Sequence, residues 1–237
     1  IWLCILPLLL LGAWLAIDSV LTKGAEHDLE ATNLARNFAT TLDQYLSARI
    51  AALNILAVSP LIDDKSRWGD LYQEAEGFRQ SFGSHVILAE AEEPRQMLFN
   101  TREPFGTPLP PLPKPKGQAA APTALATLKP AVGDTFFGPV ARELLVAIAV
   151  PVLREGRAVF VLITTFEARQ FQQRLEQVAL PAGWVLSLLD GRGDRIARRA
   201  PPGLEPGQEV DTSARFVVKS TVAAWSVVLE IPHLTYR

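Results

Sequence analysis

Four polar residues in the middle of the chain are candidates for binding a small anion or a neutral polar molecule. Arginine holds a carboxylate through two parallel N–H groups, while histidine and asparagine supply further hydrogen-bond donors and acceptors. All four lie in or beside apolar segments around one predicted hairpin, which favours a shared ligand site. The alternative is that each is a surface residue or a hydrogen-bonded structural residue. The candidates are Arg79, His85, Asn100 and Arg102.

Neither catalysis nor metal binding is indicated by the sequence. The single cysteine, Cys4, excludes a disulfide framework and a cysteine-based zinc site. The three histidines lie far apart in the chain, without metal-ligand spacing. The glycines Gly191 and Gly193 are typical of a hairpin turn, and no phosphate loop, dinucleotide fingerprint or nucleophile motif is present. No catalytic residue, metal or cofactor is therefore predicted.

Composition excludes one large class of partner. The 237 residues contain 23 Lys and Arg against 25 Asp and Glu, a net charge of −2. Nucleic-acid binding normally requires a basic surface, so no nucleic acid is expected as a partner. Hydrophobic residues make up 49% of the chain, which supports a packed core and excludes global disorder.

The N-terminal segment predicts a membrane anchor. Residues 1–17 contain no charged side chain, and a bilayer-spanning helix needs about 20 apolar residues. Residues 1–21 are therefore predicted to span a bacterial inner membrane, with residues from about 25 onward outside the cytoplasm. A cleaved signal peptide is the alternative, but no small-residue cleavage site follows the apolar run.

A long amphipathic helix is predicted over residues 25–59. Its apolar residues recur with a mean spacing near 3.7, which is helical periodicity, and Pro60 ends it. We expect this stalk helix to pair with a second copy in a parallel homodimer, because its stripe is longer than one small domain covers. The stripe comprises Ala31, Ala35, Phe38, Leu42, Leu46, Ile50, Leu53 and Ala57.

Strand-rich segments follow the stalk helix in two units joined by a helix. The first unit, 60–166, holds a short helix, a hairpin, a proline-rich stretch predicted as an extended loop, and a second hairpin. A linking helix is predicted over 167–182, and a smaller unit with four short strands over 183–232. The predicted elements are a helix at 71–82, strands at 85–89, 96–100, 144–153 and 158–166, the loop 104–130, and strands at 184–189, 195–198, 214–220 and 225–231.

Several strings along almost the whole chain resemble the double Cache sensor domain of bacterial membrane receptors, in particular sensor histidine kinases. GDTFFGP at 133–139 precedes VAIAVPVLREGRAVFVL at 146–162, which resembles the paired central strands of that family. MLFNTREPFGTPLP at 97–110 resembles the end of its first hairpin. GWVLSLLDGRGDRIARR at 183–199 and AAWSVVLEIP at 223–232 are similar to its membrane-proximal module.

The resemblance implies an α+β fold, in which a transmembrane helix continues into a long stalk helix that carries two PAS-like antiparallel-sheet modules. It also implies an extracytoplasmic sensor that binds a small molecule in the distal module and signals to a cytoplasmic histidine kinase. Residues 233–237 would lead into a second membrane helix. A chemoreceptor or diguanylate cyclase output stays open, as does an anchored interaction domain without a ligand.

The sequence departs from the amino-acid-binding members of that family. Their R-x-W-Y-x-x-A pattern is not reproduced, since no tyrosine follows Arg67 and Trp68, and no aspartate follows the predicted strand end at Phe166. The nearest acidic residue, Asp134, is expected in a loop. A buried ammonium group needs a paired carboxylate. A small carboxylate or a neutral metabolite is therefore expected as ligand, rather than an amino acid.

Overall fold

The computed structural model describes residues 2–114, 117–203 and 211–232, with side chains from residue 27 onward. For the predicted membrane segment, 1–21, only the helical backbone from residue 2 onward is described. The predicted lead into a second membrane helix, 233–237, lies outside the described residues. Among the residues whose side chains are described, no helix is both long and apolar enough to cross a bilayer.

The first helix, α1 (Trp2–Ala57), packs against both sheets of the molecule. Ala31, Ala35 and Leu46 are fully buried against the C-terminal sheet, and Leu53 is fully buried against the N-terminal sheet. The prediction that this stripe forms the contact between two copies of the chain is therefore wrong. Its apolar residues are instead covered by the chain's own two sheets, because a helix 56 residues long reaches both of them.

The N-terminal sheet, called distal here, is fully antiparallel, with strands in the order β2-β1-β6-β5-β3 and β4 paired to β5. Its predicted hairpins are confirmed, and Glu155 and Gly156 both have positive φ angles, as a type I′ turn requires. The elements of this part are α2 (Trp68–Phe82), β1 (His85–Glu90), β2 (Met97–Asn100), α3 (Ala120–Thr127), β3 (Ala131–Val132), β4 (Phe136–Phe137), β5 (Leu144–Arg154) and β6 (Arg157–Glu167).

The proline-rich stretch 104–130 is predicted as an extended loop, and this is wrong for its second half, which contains α3. The sequence Ala-Ala-Pro-Thr-Ala-Leu-Ala-Thr is rich in alanine, the best helix former. Pro122 lies in the first turn of α3, where a backbone N–H has no partner within the helix, so proline does not interrupt it.

The distal sheet buries both of its faces because side chains alternate along a strand. On β1, Val86 and Leu88 face α1 and α2, whereas Ile87 and Ala89 face α3. Continuous apolar strands are expected for a sheet that is covered on both sides.

The C-terminal sheet, called proximal here, is antiparallel with the order β8-β7-β10-β9. One face packs on α1 and α4 around Phe171 and Trp225, while Val217 on β9 is exposed on the other. The predicted linking helix and four strands are present. They are α4 (Arg169–Glu176), β7 (Val185–Leu189), β8 (Arg195–Arg199), β9 (Thr212–Lys219) and β10 (Ser226–Pro232).

Candidate functional site

A cavity of about 410 Å³ lies between the distal sheet and the chain segment that contains α3. Its floor is the face of the sheet that points away from α1. Its volume falls in the range of small-molecule sites, about 300–1,000 Å³. The floor is formed by Ile87, Met97, Leu145, Ala147, Ile163 and Thr165.

Small side chains leave this space open. Ala147 projects from the middle of β5, and Ala120 and Ala121 project from the first turn of α3 above it. Protein interiors are normally packed without voids of this size. Because alanine has a single side-chain carbon, the alanines of the sheet and of the helix leave the gap between the two layers unfilled.

Three cationic side chains line the cavity, namely Arg95, Arg102 and Lys114. Arg95 pairs with Glu93, which also contacts Lys114 at 3.4 Å between Oε2 and Nζ. The backbone of Arg95 has a φ of 57°, a left-handed conformation that costs energy for a residue with a side chain. Leu112 stabilises it by donating its backbone N–H to the Arg95 carbonyl at 2.9 Å.

Arg102 forms a largely buried ion pair with Glu167 at the end of β6. Its Nη2 donates to Glu167 Oε1 at 2.9 Å, and the two side chains are only 13% and 10% exposed. Gln170 donates to the second Glu167 oxygen at 2.6 Å. Burial by itself raises the pKa of Glu167, but the hydrogen bonds from Arg102 and Gln170 outweigh it, so the pKa is lowered. Glu167 is therefore ionised, and its negative charge is already balanced by the guanidinium group of Arg102.

Three buried polar atoms of the cavity lining have no hydrogen-bond partner among the described residues. They are Nε of Arg95, Nε of Arg102 and Oγ1 of Thr165. Buried polar groups are nearly always paired, because an unpaired one costs about 1–3 kcal/mol. All three atoms belong to residues that line the cavity, but the atoms themselves have almost no accessible surface and do not face its interior. What the lining offers to an acceptor group is the cationic side chains of Arg95, Arg102 and Lys114.

The structure brings two of the four predicted ligand-binding residues to this cavity. Asn100 and Arg102 line it. Arg79 does not, because it lies on α2 and pairs with Glu76 at 2.7 Å. His85 shares the cavity face of β1, but it is outside the lining and its Nδ1 lies 3.2 Å from Thr101 Oγ1. Burial, followed by the charge of Arg102, lowers the pKa of His85.

Several polar residues at or near the cavity, Arg95 and Lys114 among them, were not identified from the sequence. Thr165 lines it, and Glu167 supplies a carboxylate where none is expected after Phe166. The structure corrects that expectation, since β6 continues to Glu167. The alternation Ile163, Thr165, Glu167 was the available signal, because it places all three on one face of the strand.

The arrangement suits binding of an acceptor-bearing molecule. The carboxylate of Asp134, which also lines the cavity, accepts backbone N–H groups of Gln118 and Gly191, both at 2.8 Å. With Glu167 paired to Arg102, both nearby buried carboxylates are already hydrogen-bonded. Among the described residues, no group of three or more His, Cys, Asp or Glu side chains could hold a metal ion.

Neither a protein-family model nor a curated protein matches the sequence. Solved structures do match in fold. The ligand-binding domain of the Campylobacter jejuni chemoreceptor Tlp3, in complex with L-norvaline, is 15% identical with a TM-score of 0.61, covering 88% of this chain and 93% of that one. The corresponding domain of Pseudomonas fluorescens CtaA, with L-isoleucine, is 12% identical with a TM-score of 0.64, covering 87% and 92%.

A third similar structure is the ligand-binding domain of the Pseudomonas aeruginosa PAO1 amino acid chemoreceptor PctC, in complex with GABA. It is 17% identical with a TM-score of 0.61, and the match covers 86% of this chain and 98% of that one. The long helix and the two antiparallel sheets thus have the same double Cache-type fold as these chemoreceptor domains.

Proposed function

We propose that this chain is the extracytoplasmic sensor region of a bacterial membrane receptor, and that it binds a small carboxylate in the distal cavity. The observation that carries the proposal is the lining itself, in which the cationic side chains of Arg95, Arg102 and Lys114 border a largely apolar cavity. A carboxylate supplies the acceptors for these donors and carries the charge that guanidinium groups prefer. A neutral molecule with a carbonyl or hydroxyl group would use the same donors.

The acidic groups near the cavity argue against an amino acid as ligand. A buried ammonium group requires a carboxylate partner. Glu167 is held by Arg102 and Gln170, and Asp134 by two backbone N–H groups. Glu93, the carboxylate at the edge of the lining, is paired with both Arg95 and Lys114. An amino acid would have to displace one of these bonds, whereas the same molecule without its amino group would not. The similar domains were solved with L-norvaline, L-isoleucine and GABA, so this chain would differ from them in ligand class.

The reported structural neighbours favour a chemoreceptor as the parent protein. A histidine kinase, implied by the sequence resemblance, and a diguanylate cyclase stay predictions. The residues that follow this region in the complete protein distinguish them. A methyl-accepting coiled coil, a dimerisation helix with a phosphorylatable histidine, and a cyclase domain are mutually exclusive outcomes.

The proposed topology puts residues after about 25 in the periplasm or outside the cell, with the N-terminal segment in the inner membrane. Reporter fusions after Pro60 and after Pro232 should both register an external location. A cytoplasmic signal at either position would contradict it. The parallel homodimer stays a prediction, and it would need a surface other than the buried stripe of α1.

The ligand class is tested with three molecules that share the same branched four-carbon unit. Isovalerate carries the carboxylate alone, L-valine carries both groups, and isobutylamine carries the amine alone. At about 100 times its Kd, a ligand stabilises the fold by about 2.7 kcal/mol in a thermal-shift measurement. We expect stabilisation by isovalerate, less by L-valine and none by isobutylamine.

Thr165→Val should abolish the isovalerate response, while the matched variant Thr164→Val should retain it, because the Thr164 hydroxyl donates to the His85 carbonyl at 3.0 Å instead. Stabilisation by L-valine that exceeds the isovalerate effect would contradict the proposed ligand class. The absence of a response to a wide set of small molecules would favour an anchored interaction domain without a ligand.

A further inference from the structure

The carboxylate of Asp134 bridges the ligand cavity and the proximal sheet. Its Oδ2 accepts the backbone N–H of Gln118 at 2.8 Å, and its Oδ1 accepts the backbone N–H of Gly191 at 2.8 Å. Gln118 lines the cavity beside α3, and Gly191 begins the turn between β7 and β8. Asp134 is only 5% exposed, so its charge depends on both donors and on Arg192, whose Nε lies 3.9 Å from Oδ2.

Two glycines hold this carboxylate at close range, one from each side. A Cβ added to Gly117 would lie 2.5 Å from Arg192 Cδ and 2.7 Å from Asp134 Oδ2, and one added to Gly191 would lie 2.7 Å from Asp134 Oδ1. Gly117 also has a φ of +88°, which disfavours any side chain. No residue larger than glycine can occupy either position unless the carboxylate or the backbone moves.

The residues that flank Asp134 also contact the proximal module. Thr135 donates both its backbone N–H and its hydroxyl to Asp190 Oδ2, at 3.1 and 2.9 Å. The indole of Trp225 donates to the Gly133 carbonyl at 3.2 Å. Three consecutive residues of the cavity segment are therefore bonded to the proximal module.

We propose that Asp134 is a positioning residue that couples the cavity wall to the β7–β8 turn, so that a ligand that moves Gln118 also moves Gly191. The physical reason is that a buried carboxylate loses a charge-assisted hydrogen bond if only one of its donors moves. The cavity wall and the turn must then shift together. Coupling between two sites is reciprocal, so a change in the turn must also alter the cavity wall. The signalling role of this coupling rests on the proposed ligand site.

Hydrogen exchange without any ligand tests the coupling in the reverse direction. Gly191→Ala changes only the proximal turn, but its new Cβ displaces the Asp134 carboxylate. We expect the Gln118 amide to exchange about tenfold faster or more, since it loses a charge-assisted hydrogen bond. The Leu162 amide, in the middle of the distal sheet, should keep its protection, which separates coupling from general destabilisation.

Arg195→Gln is the matched control, because Arg195 is the exposed first residue of β8, directly after the same turn. Asp194 would not serve, since its partner Arg192 also lies 3.9 Å from Asp134 Oδ2. Arg195→Gln should leave the Gln118 amide unchanged.

If Gly191→Ala does not fold, Asp134→Asn replaces it, since an amide has one acceptor oxygen and must release either Gln118 or Gly191. Unchanged exchange at Gln118 in Gly191→Ala, or at both amides in Asp134→Asn, would overturn the inference. Failure of isovalerate to bind would contradict only the proposed function.

Discussion

The two sheets of this chain pack on the same long helix, but they differ in how completely their covered faces are filled. The proximal sheet packs large rings there, with Phe171 and Trp225 5.4 Å apart in edge-to-face contact. The distal sheet has a second covered face, and alanines such as Ala147 and Ala121 leave a cavity on it. Side-chain volume, rather than the kind of secondary structure, thus separates the part that can hold a ligand from the part that cannot.

The largest effect should come from the packed side. Trp225 is 1% exposed, and Trp225→Ala should destabilise the chain by about 3–5 kcal/mol, because it removes ring contacts and leaves a cavity. The matched variant Met97→Ala, in the wall of the ligand cavity, should cost only about 2 kcal/mol, because its surroundings already lack contacts. Urea unfolding midpoints measure both. Equal losses would mean that the two sides are packed alike.

The next effect concerns the ion pairs of the two sheets. Glu167→Gln should cost about 3 kcal/mol near neutral pH, because it leaves Arg102 charged and buried without its partner. In the proximal sheet, Arg215 and Glu230 are 3.8 Å apart and Arg215 is 56% exposed, so Glu230→Gln should change stability by less than about 0.5 kcal/mol.

The pH dependence of the Glu167 effect has a definite sign. The pKa of Glu167 is lowered in the folded chain, so the stabilisation is complete above the unfolded pKa of about 4.3 and is lost as the pH falls through the folded value. The difference in unfolding free energy between the natural chain and Glu167→Gln should therefore shrink below about pH 4. A difference that is constant from neutral pH down to pH 3 would contradict the ionised pair.

Substitutions that add side-chain volume should also affect the two sheets differently, with a smaller difference in stability. Ala197→Leu on β8 inserts three carbon atoms into a filled core and should cost about 1–3 kcal/mol. Ala147→Leu places the same atoms in the cavity, so it should cost less than about 1 kcal/mol and abolish the response to isovalerate. Thermal unfolding with and without isovalerate measures both properties. A cost at Ala147 as large as at Ala197 would show that the cavity closes in solution.

The smallest effect distinguishes two adjacent hydroxyl groups on β6. Thr164→Val should cost about 1 kcal/mol, because it removes the hydrogen bond to the His85 carbonyl. Thr165→Val should change stability by less than about 0.5 kcal/mol, since its buried hydroxyl has no partner among the described residues. Chemical denaturation distinguishes the two variants if their m-values are equal, because a shift in midpoint then reports a change in stability. A larger loss at Thr165 would indicate an internal partner for that hydroxyl.

Local sequence patterns predicted most of the elements but only part of the site. The hairpin of β5 and β6 follows from β-branched residues on either side of Glu155 and Gly156. The helix α3 was not predicted because the many prolines before it suggest a loop, although its single proline, Pro122, lies where proline is compatible with a helix. Arg79 was assigned to the ligand site by its closeness in sequence to β1, but α2 covers the opposite face of the sheet.

The sequence by itself determined where most of the strands, the turns and the long helix lie, because hydrophobic periodicity and turn residues act over a few neighbours in the chain. Only the tertiary structure decided which of the charged side chains meet. Glu167 reaches Arg102 across 65 positions, and Asp134 reaches Gly191 across 57. It also decided that the α1 stripe is covered by the chain's own sheets rather than by a second copy. Such contacts depend on the distances between elements after packing, and no local pattern in the sequence records those distances.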